Sequence, residues 1–235
     1  MKNINKTIKN KVALSNANLN INNNEICALI GPNGAGKTTL IKCLTGLSSS
    51  DSGIIKFDNE SLNNRSINDI LSKIGAVLKF PESISKTPIE SIFNQEFFYR
   101  GIKQHKSVNY YLNKVKLNVS PDTKAGKLSL GMKQRLLIAL AISHNPSLLI
   151  LDEPFNGLDV DGVDLMKNII SDFVKENNNS VLITSHSLND LNDFVSSVTF
   201  MQSGHTLHKE TMEDIRENYG GSIKDYYREV HNNEL

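Results

Sequence analysis

Charge imbalance is nearly absent from this 235-residue chain, in which 26 lysines and arginines meet 25 aspartates and glutamates for a formal net charge of +1. A nucleic-acid footprint shows as a basic excess, so no nucleic-acid partner is expected; small molecules and proteins are. Long apolar runs are missing as well. The longest, Leu136 to Ile142, is far shorter than the roughly 20 residues that span a bilayer. The chain is not expected to cross a membrane. Its Asn- and Lys-rich start has no apolar stretch resembling a signal peptide, and its only cysteines are Cys27 and Cys43. A reducing cytoplasm is the expected location. Both cysteines lie in apolar, periodic surroundings, which favour small buried hydrophobes over nucleophiles or ligands. No aromatic residue precedes Phe57, and no internal repeat or low-complexity linker breaks the chain.

What is present is an alternation of strand and helix signals in a chain that is 39% hydrophobic, enough to bury one large domain. "EICALI" (Glu25 to Ile30) reads as a buried strand, and "GKTTLIKCLTGL" after it puts Leu40, Ile41, Leu44 and Leu47 on one helical face. "KIGAVLKF", "SLLIL" (Ser147 to Leu151) and "SVLITSH" (Ser180 to His186) read as further strands, apolar on both faces. Such runs suit a parallel sheet covered by helices. "IESIFNQEFFYRGI" and "SVNYYLNKVKL" read as helices outside this alternation. They mark an inserted helical subdomain.

Two motifs carry chemistry. "GPNGAGKT", Gly31 to Thr38, fits G-x-x-x-x-G-K-[ST] between a strand and a helix. Its glycines let successive amides turn inward around phosphate oxygens, the following helix adds its positive dipole end, Lys37 reaches the β- and γ-phosphates, and the Thr38 hydroxyl ligates Mg²⁺. "LLILDEPFNGLD", Leu148 to Asp159, delivers Asp152 from the end of a buried strand, where it can hold Mg²⁺ through water. Glu153 follows, placed to polarise an attacking water. The competing reading makes these two acids caps of the next helix.

With "LSLGMKQR" (Leu128 to Arg135) and "ITSH" added, the ordered motifs resemble the nucleotide-binding subunits of ATP-binding cassette (ABC) transporters over nearly the whole chain. The resemblance implies an ATPase that binds ATP and Mg²⁺. Gly31, Pro32, Asn33, Gly34, Ala35, Gly36, Lys37, Thr38 and Thr39 would form its phosphate loop. Ser129 and Gly131 would belong to a signature loop that contacts the γ-phosphate bound by a second copy, in a head-to-tail homodimer. An ordinary N-capped helix starting at Ser129 explains the same stretch. His186 would be the switch histidine at the γ-phosphate, its plainer alternative being a structural or solvated histidine. Asp159 would pair across the dimer, its plainer alternative being an exposed turn aspartate.

Four positions depart from the family pattern. Ile8 stands where an aromatic commonly lies under the adenine; Leu130 and Met132 replace a glycine and a glutamine of the signature; and Lys79 stands at a metal-facing glutamine, its alternative being a solvated lysine. The altered signature, with "NGLD", resembles the subgroup that exports or protects against antimicrobial peptides such as bacitracin and lantibiotics. The expected fold is therefore an α/β P-loop NTPase core with an N-terminal antiparallel β portion and an inserted α-helical subdomain. One domain is expected over 1–235, with core 1–80 and 128–235 and insert 81–127. The expected activity is ATP hydrolysis driving a separate transmembrane permease, the chain lying peripherally on the inner face of the membrane. A permease contact is expected on Glu90 to Gly101, where Phe93, Phe97, Phe98 and Tyr99 exceed one helical stripe, the alternative being a well-packed subdomain core. The other function class is a non-transport ABC ATPase of translation or DNA repair. A GTPase would need an N-K-x-D element, which the chain lacks.

Overall fold

The computed structural model describes residues 1–62, 67–188 and 191–233. They fall into two compact units, Met1–Leu71 with Ser180–Leu235, and Ser72–Asn179.

The first unit opens with an antiparallel hairpin, β1 (Lys2–Ile8) and β2 (Lys11–Ala17), with Lys6 opposite Leu14 and Ile8 opposite Lys11. The buried members Ile4, Leu14 and Ala17 sit among exposed neighbours, as in a sheet with one wet face. β3 (Ile26–Ile30) is buried at every residue, as its apolar run predicts. After it come α1 (Lys37–Leu44), β4 (Ser52–Ile54), which pairs with β1, the short ribbon β5 (Lys56–Phe57) and β6 (Glu60–Ser61), and α2 (Ile67–Ser72). On α1, Leu40, Ile41 and Leu44 are buried. Leu47 is not on that face: the helix ends first, at Thr45 and Gly46, and leaves it 66% exposed.

The chain returns to this unit as β9 (Ser180–Ser185), β10 (Ser197–Gln202) and β11 (His205–Thr211), followed by α7 (Met212–Asn218) and α8 (Ile223–Asn233). β3 is parallel to β9 on one side and to β10 on the other, with Ile30 opposite Phe200, and β11 closes the edge antiparallel to β10. Three hairpins here turn on two residues with positive φ: Lys9-Asn10, Asp58-Asn59 and Ser203-Gly204. That geometry matches the right-handed twist of the strands it joins. A buried Glu25 braces the sheet by accepting from Ser197 Oγ and pairing with Lys209 of β11. Cys27 lies beside this brace, and burial pushes its thiol up to about 12, so it is an inert hydrophobe at neutral pH.

The second unit is built on β7 (Ile74–Val77) parallel to β8 (Leu148–Asp152), with Ile74 opposite Leu148. It also holds α3 (Ile89–Tyr99), α4 (Val108–Lys114), α5 (Leu130–Ile142) and α6 (Val160–Asn177). Gly75 lets α5 lie close on β7; a Cβ there would meet the Ala141 carbonyl oxygen at 2.4 Å. The chain flanking α3 and α4 is zipped to itself: Ala125 N bonds Thr87 O, Gly126 N bonds Ser85 O and Ile89 N bonds Thr123 O. Inside, Phe93 and Phe97 pack on Tyr111, and Phe97 stacks on His105. The α3 aromatics therefore divide, with Phe93 and Phe97 in the core and Phe98 and Tyr99 more than 80% exposed.

Candidate functional site

In the first unit, Gly31 leaves β3 just past the Ile30–Phe200 pair, and its amide donates to Ser185 O at the end of β9 (3.1 Å). A Cβ at Gly31 would stand 2.1 Å from the Met201 carbonyl oxygen, so glycine is required for close approach. Gly34 and Gly36 are required for conformation, with φ of 85° and 113°. Pro32, Asn33 and Gly34 form the exposed crest of the loop, while Ala35 is buried and its carbonyl accepts from Gly204 N. Lys37 is buried, and its ammonium donates to the carbonyls of Gly31 and Pro32. Gly36 caps α1 without a side chain, and no acidic residue occupies the first turn. A helix start of that kind attracts anions through its amides and its dipole. Thr38 and Thr39 lie in this first turn.

His186 follows Ser185 and is exposed. Ser185 Oγ donates to Ser187 O and accepts from Ser187 N, which fixes the turn carrying the histidine. The Gly31–Ser185 bond thus holds the root of the loop against the root of His186.

In the second unit, Asp152 ends β8, and Glu153 takes φ = 54°. A left-handed backbone is costly for a residue with a Cβ, and such strain concentrates at functional sites. The turn is closed by Asn156 N donating to Glu153 O. These acids do not cap the next helix. Asp159 does, its Oδ1 accepting from Gly162 N at 2.9 Å at the start of α6. Ser129 likewise caps α5, its Oγ accepting from Met132 N at 3.3 Å. Gly131 lies in the first turn of α5, where a Cβ would be 3.0 Å from Leu158 Cδ2.

The sequence reading did not foresee the contacts between these two loops. Leu130 Cδ2 would be 2.7 Å from a Cβ on Gly157, and Gln134 Nε2 donates to Asn156 O. The loops are about 27 positions apart, so no local pattern announces the contact; the two glycines facing two leucines are its only trace. Lys79, two residues past β7, is exposed, and Ile8 is 45% exposed on β1.

An amide-lined, glycine-dependent loop with a buried lysine, opening a helix after a buried parallel strand, defines a P-loop nucleotide-binding domain. A family model for the ABC transporter domain matches residues 14–156, and the chain belongs to that family. It is an ABC transporter ATP-binding subunit, an ATPase. It is 34% identical to the lantibiotic transport ATP-binding protein SrtF of Streptococcus pyogenes over 100% of this chain and 96% of SrtF. It is also 34% identical to the bacitracin transport ATP-binding protein BcrA of Bacillus licheniformis, over 87% of this chain and 66% of BcrA. Among solved structures, cbiO1 of Clostridium perfringens, part of the ABC transporter complex cbiONQ, superposes with a TM-score of 0.80 at 26% identity, covering 97% of this chain and 92% of cbiO1. The α/β P-loop fold with its β portion and helical insert is thereby established. No helix among the described residues is long and apolar enough to cross a membrane.

Proposed function

We propose that this chain energises a separate membrane permease that exports an antimicrobial peptide or related amphiphile. The observation that carries this reading is the end-to-end match to a lantibiotic transport subunit. The chain acts as a single ATPase domain over 1–235, with 81–127 as the insert, lying on the inner face of the membrane through the permease. Phe98 and Tyr99, exposed at the end of α3, offer the permease an aromatic contact.

Residues 31–39 hold the phosphates of ATP, with Lys37 turning from the loop carbonyls to the β- and γ-phosphates. Thr38 and Asp152 offer hard oxygen donors suited to Mg²⁺, which takes few protein ligands and completes its shell with phosphates and water. The ion supplies charge neutralisation on the phosphates. Glu153 accepts a hydrogen bond from the attacking water and orients it, and His186 donates to the γ-phosphate. Ser129, Gly131 and Asp159 complete the site of a second copy in a head-to-tail pair. The supporting chemistry is a helix start with a hydroxyl and no acid in its first turn.

The test is Glu153→Gln. It should keep ATP binding, abolish hydrolysis and leave a long-lived ATP-dependent dimer on size-exclusion. A variant that stays monomeric at saturating ATP and still turns over refutes the paired site. Failure of the wild-type chain to co-purify with a membrane protein refutes the permease.

A further inference from the structure

We propose that Leu130 and Leu158 are positioning residues that clasp the signature turn, Ser129 to Gly131, to the loop Asn156 to Asp159, so that both loops meet a second chain as one rigid lip. The clasp runs in two directions. Leu130 reaches over Gly157, where a Cβ would lie only 2.7 Å from Leu130 Cδ2, and Leu158 reaches back over Gly131, where a Cβ would lie 3.0 Å from Leu158 Cδ2. Each leucine thus fills the volume left by the other loop's missing side chain. Gly157 has φ = 76°, so its lack of a Cβ serves both the turn and the contact. Gln134 Nε2, one turn along α5, adds a hydrogen bond to Asn156 O.

The loops are also pinned at their outer ends. Ser129 caps α5 and Asp159 caps α6, and Leu158 N closes a turn on Phe155 O. Between fixed ends, the leucine contacts set the spacing between the Ser129 hydroxyl and the Asp159 carboxylate. Leu130 is 52% exposed, so its removal costs little core packing, and its contribution lies in that spacing. A glycine at position 130 would make no such contact, so the lip is a property of this sequence's Leu130.

The inference rests on the proposed head-to-tail pair. Its test uses the full chain in the Glu153→Gln background with ATP, measured by sedimentation, together with ATP affinity at low protein concentration and hydrogen exchange of the Asn156 to Asp159 amides. Leu130→Ala should weaken ATP-dependent dimerisation about tenfold, roughly the loss of one well-packed side-chain contact. It should leave single-chain ATP affinity within about twofold, and accelerate exchange in residues 156–159. Leu130→Met, which refills the volume, should restore both. Unchanged dimerisation and exchange in Leu130→Ala overturn the clasp, as does failure of methionine to rescue. Should the Glu153→Gln parent itself not dimerise, the paired site falls, and unchanged exchange in Leu130→Ala would then remove the clasp separately.

Discussion

Replacing Gly31 with alanine isolates one structural demand of the phosphate loop. The backbone of Gly31 has an ordinary φ, so alanine meets no conformational penalty there; the obstacle is the Met201 carbonyl oxygen, 2.1 Å from where the methyl would sit. Both partners are backbone on adjacent parallel strands, and neither can rotate away. To reach an ordinary contact near 3.4 Å, Gly31 and Met201 must part by more than an ångström, which displaces Gly31 toward β9 on its other side and distorts the Gly31 N to Ser185 O bond, 3.1 Å in the native chain, out of hydrogen-bond geometry. Overpacking costs about 2 kcal/mol and the lost hydrogen bond about 1 kcal/mol, giving roughly 3 kcal/mol. Gly34 in the same loop supplies the control. An added Cβ there meets nothing within 4 Å, while φ is 85°, so Gly34→Ala carries only the left-handed penalty of about 1 kcal/mol. Urea unfolding of the two variants reads the difference: with a slope near 2 kcal/mol/M, about 1.5 M of midpoint should be lost at Gly31 and about 0.5 M at Gly34. An alanine at 31 that costs less than one at 34 would refute the close-approach reasoning.

On α3, Phe97→Lys should unfold the second unit, because Phe97 is buried against Tyr111 and His105, whereas Phe98→Lys should fold normally, bind ATP and fail to co-sediment with permease-containing membranes. His144 gives a pH handle. Burial, helped by the Arg100 charge, holds its imidazole down to about 4 against the ordinary 6.5. The unfolded chain therefore binds the extra proton between pH 6.5 and 4, and stability falls as pH falls through that window, by about 2 kcal/mol after allowing for screening of the partly exposed ring. His144→Gln should lose correspondingly less urea midpoint between pH 7.5 and 4.5; equal losses would show that the histidine titrates normally. At the base, Ile8→Tyr should tighten ATP several-fold if a ring there can stack, and ATP and GTP should compete within about a hundredfold on the wild-type chain.

The parts of the fold that could be read from sequence are those whose burial is two-sided. β3, β8 and β9 are unbroken apolar runs because helices cover parallel strands on both faces, so their runs alone declare them. β10 escaped this reading: Ser197 and Thr199 break its apolar pattern, yet both are buried, Ser197 through its bond to Glu25. The α3 aromatics show the same limit. Ile89, Phe93 and Phe97 follow a four-residue spacing and are all buried, whereas Phe98 is rotated by about 100° and faces water, so the run of aromatics overstated the apolar surface on offer. Ordered motifs were legible in the phosphate loop because backbone geometry demands particular residues. The close approach of Gly31 to Met201 was not, because it depends on strand register, nor was the meeting of Leu130 with Gly157.

For Ser129 a helix cap, and for Asp159 an exposed turn aspartate, first stood as alternatives to a place in the nucleotide site; both residues are caps, and capping does not oppose that place. Ser129 Oγ spends one lone pair on Met132 N, which leaves its own hydrogen to donate to an anion. Asp159 spends Oδ1 on Gly162 N, which leaves Oδ2 for a partner across the proposed pair. A cap fixes the side-chain rotamer, so the remaining donor or acceptor is aimed before any ligand arrives, and the entropy of ordering it is already lost in folding. Capping therefore strengthens the proposed role. The consequence can be separated by substitution: Ser129→Asp keeps an acceptor for the Met132 amide but removes the donor and adds a negative charge. It should preserve the melting temperature and abolish ATP-dependent pairing, whereas a Ser129 that serves only as a cap would tolerate the aspartate in both measurements.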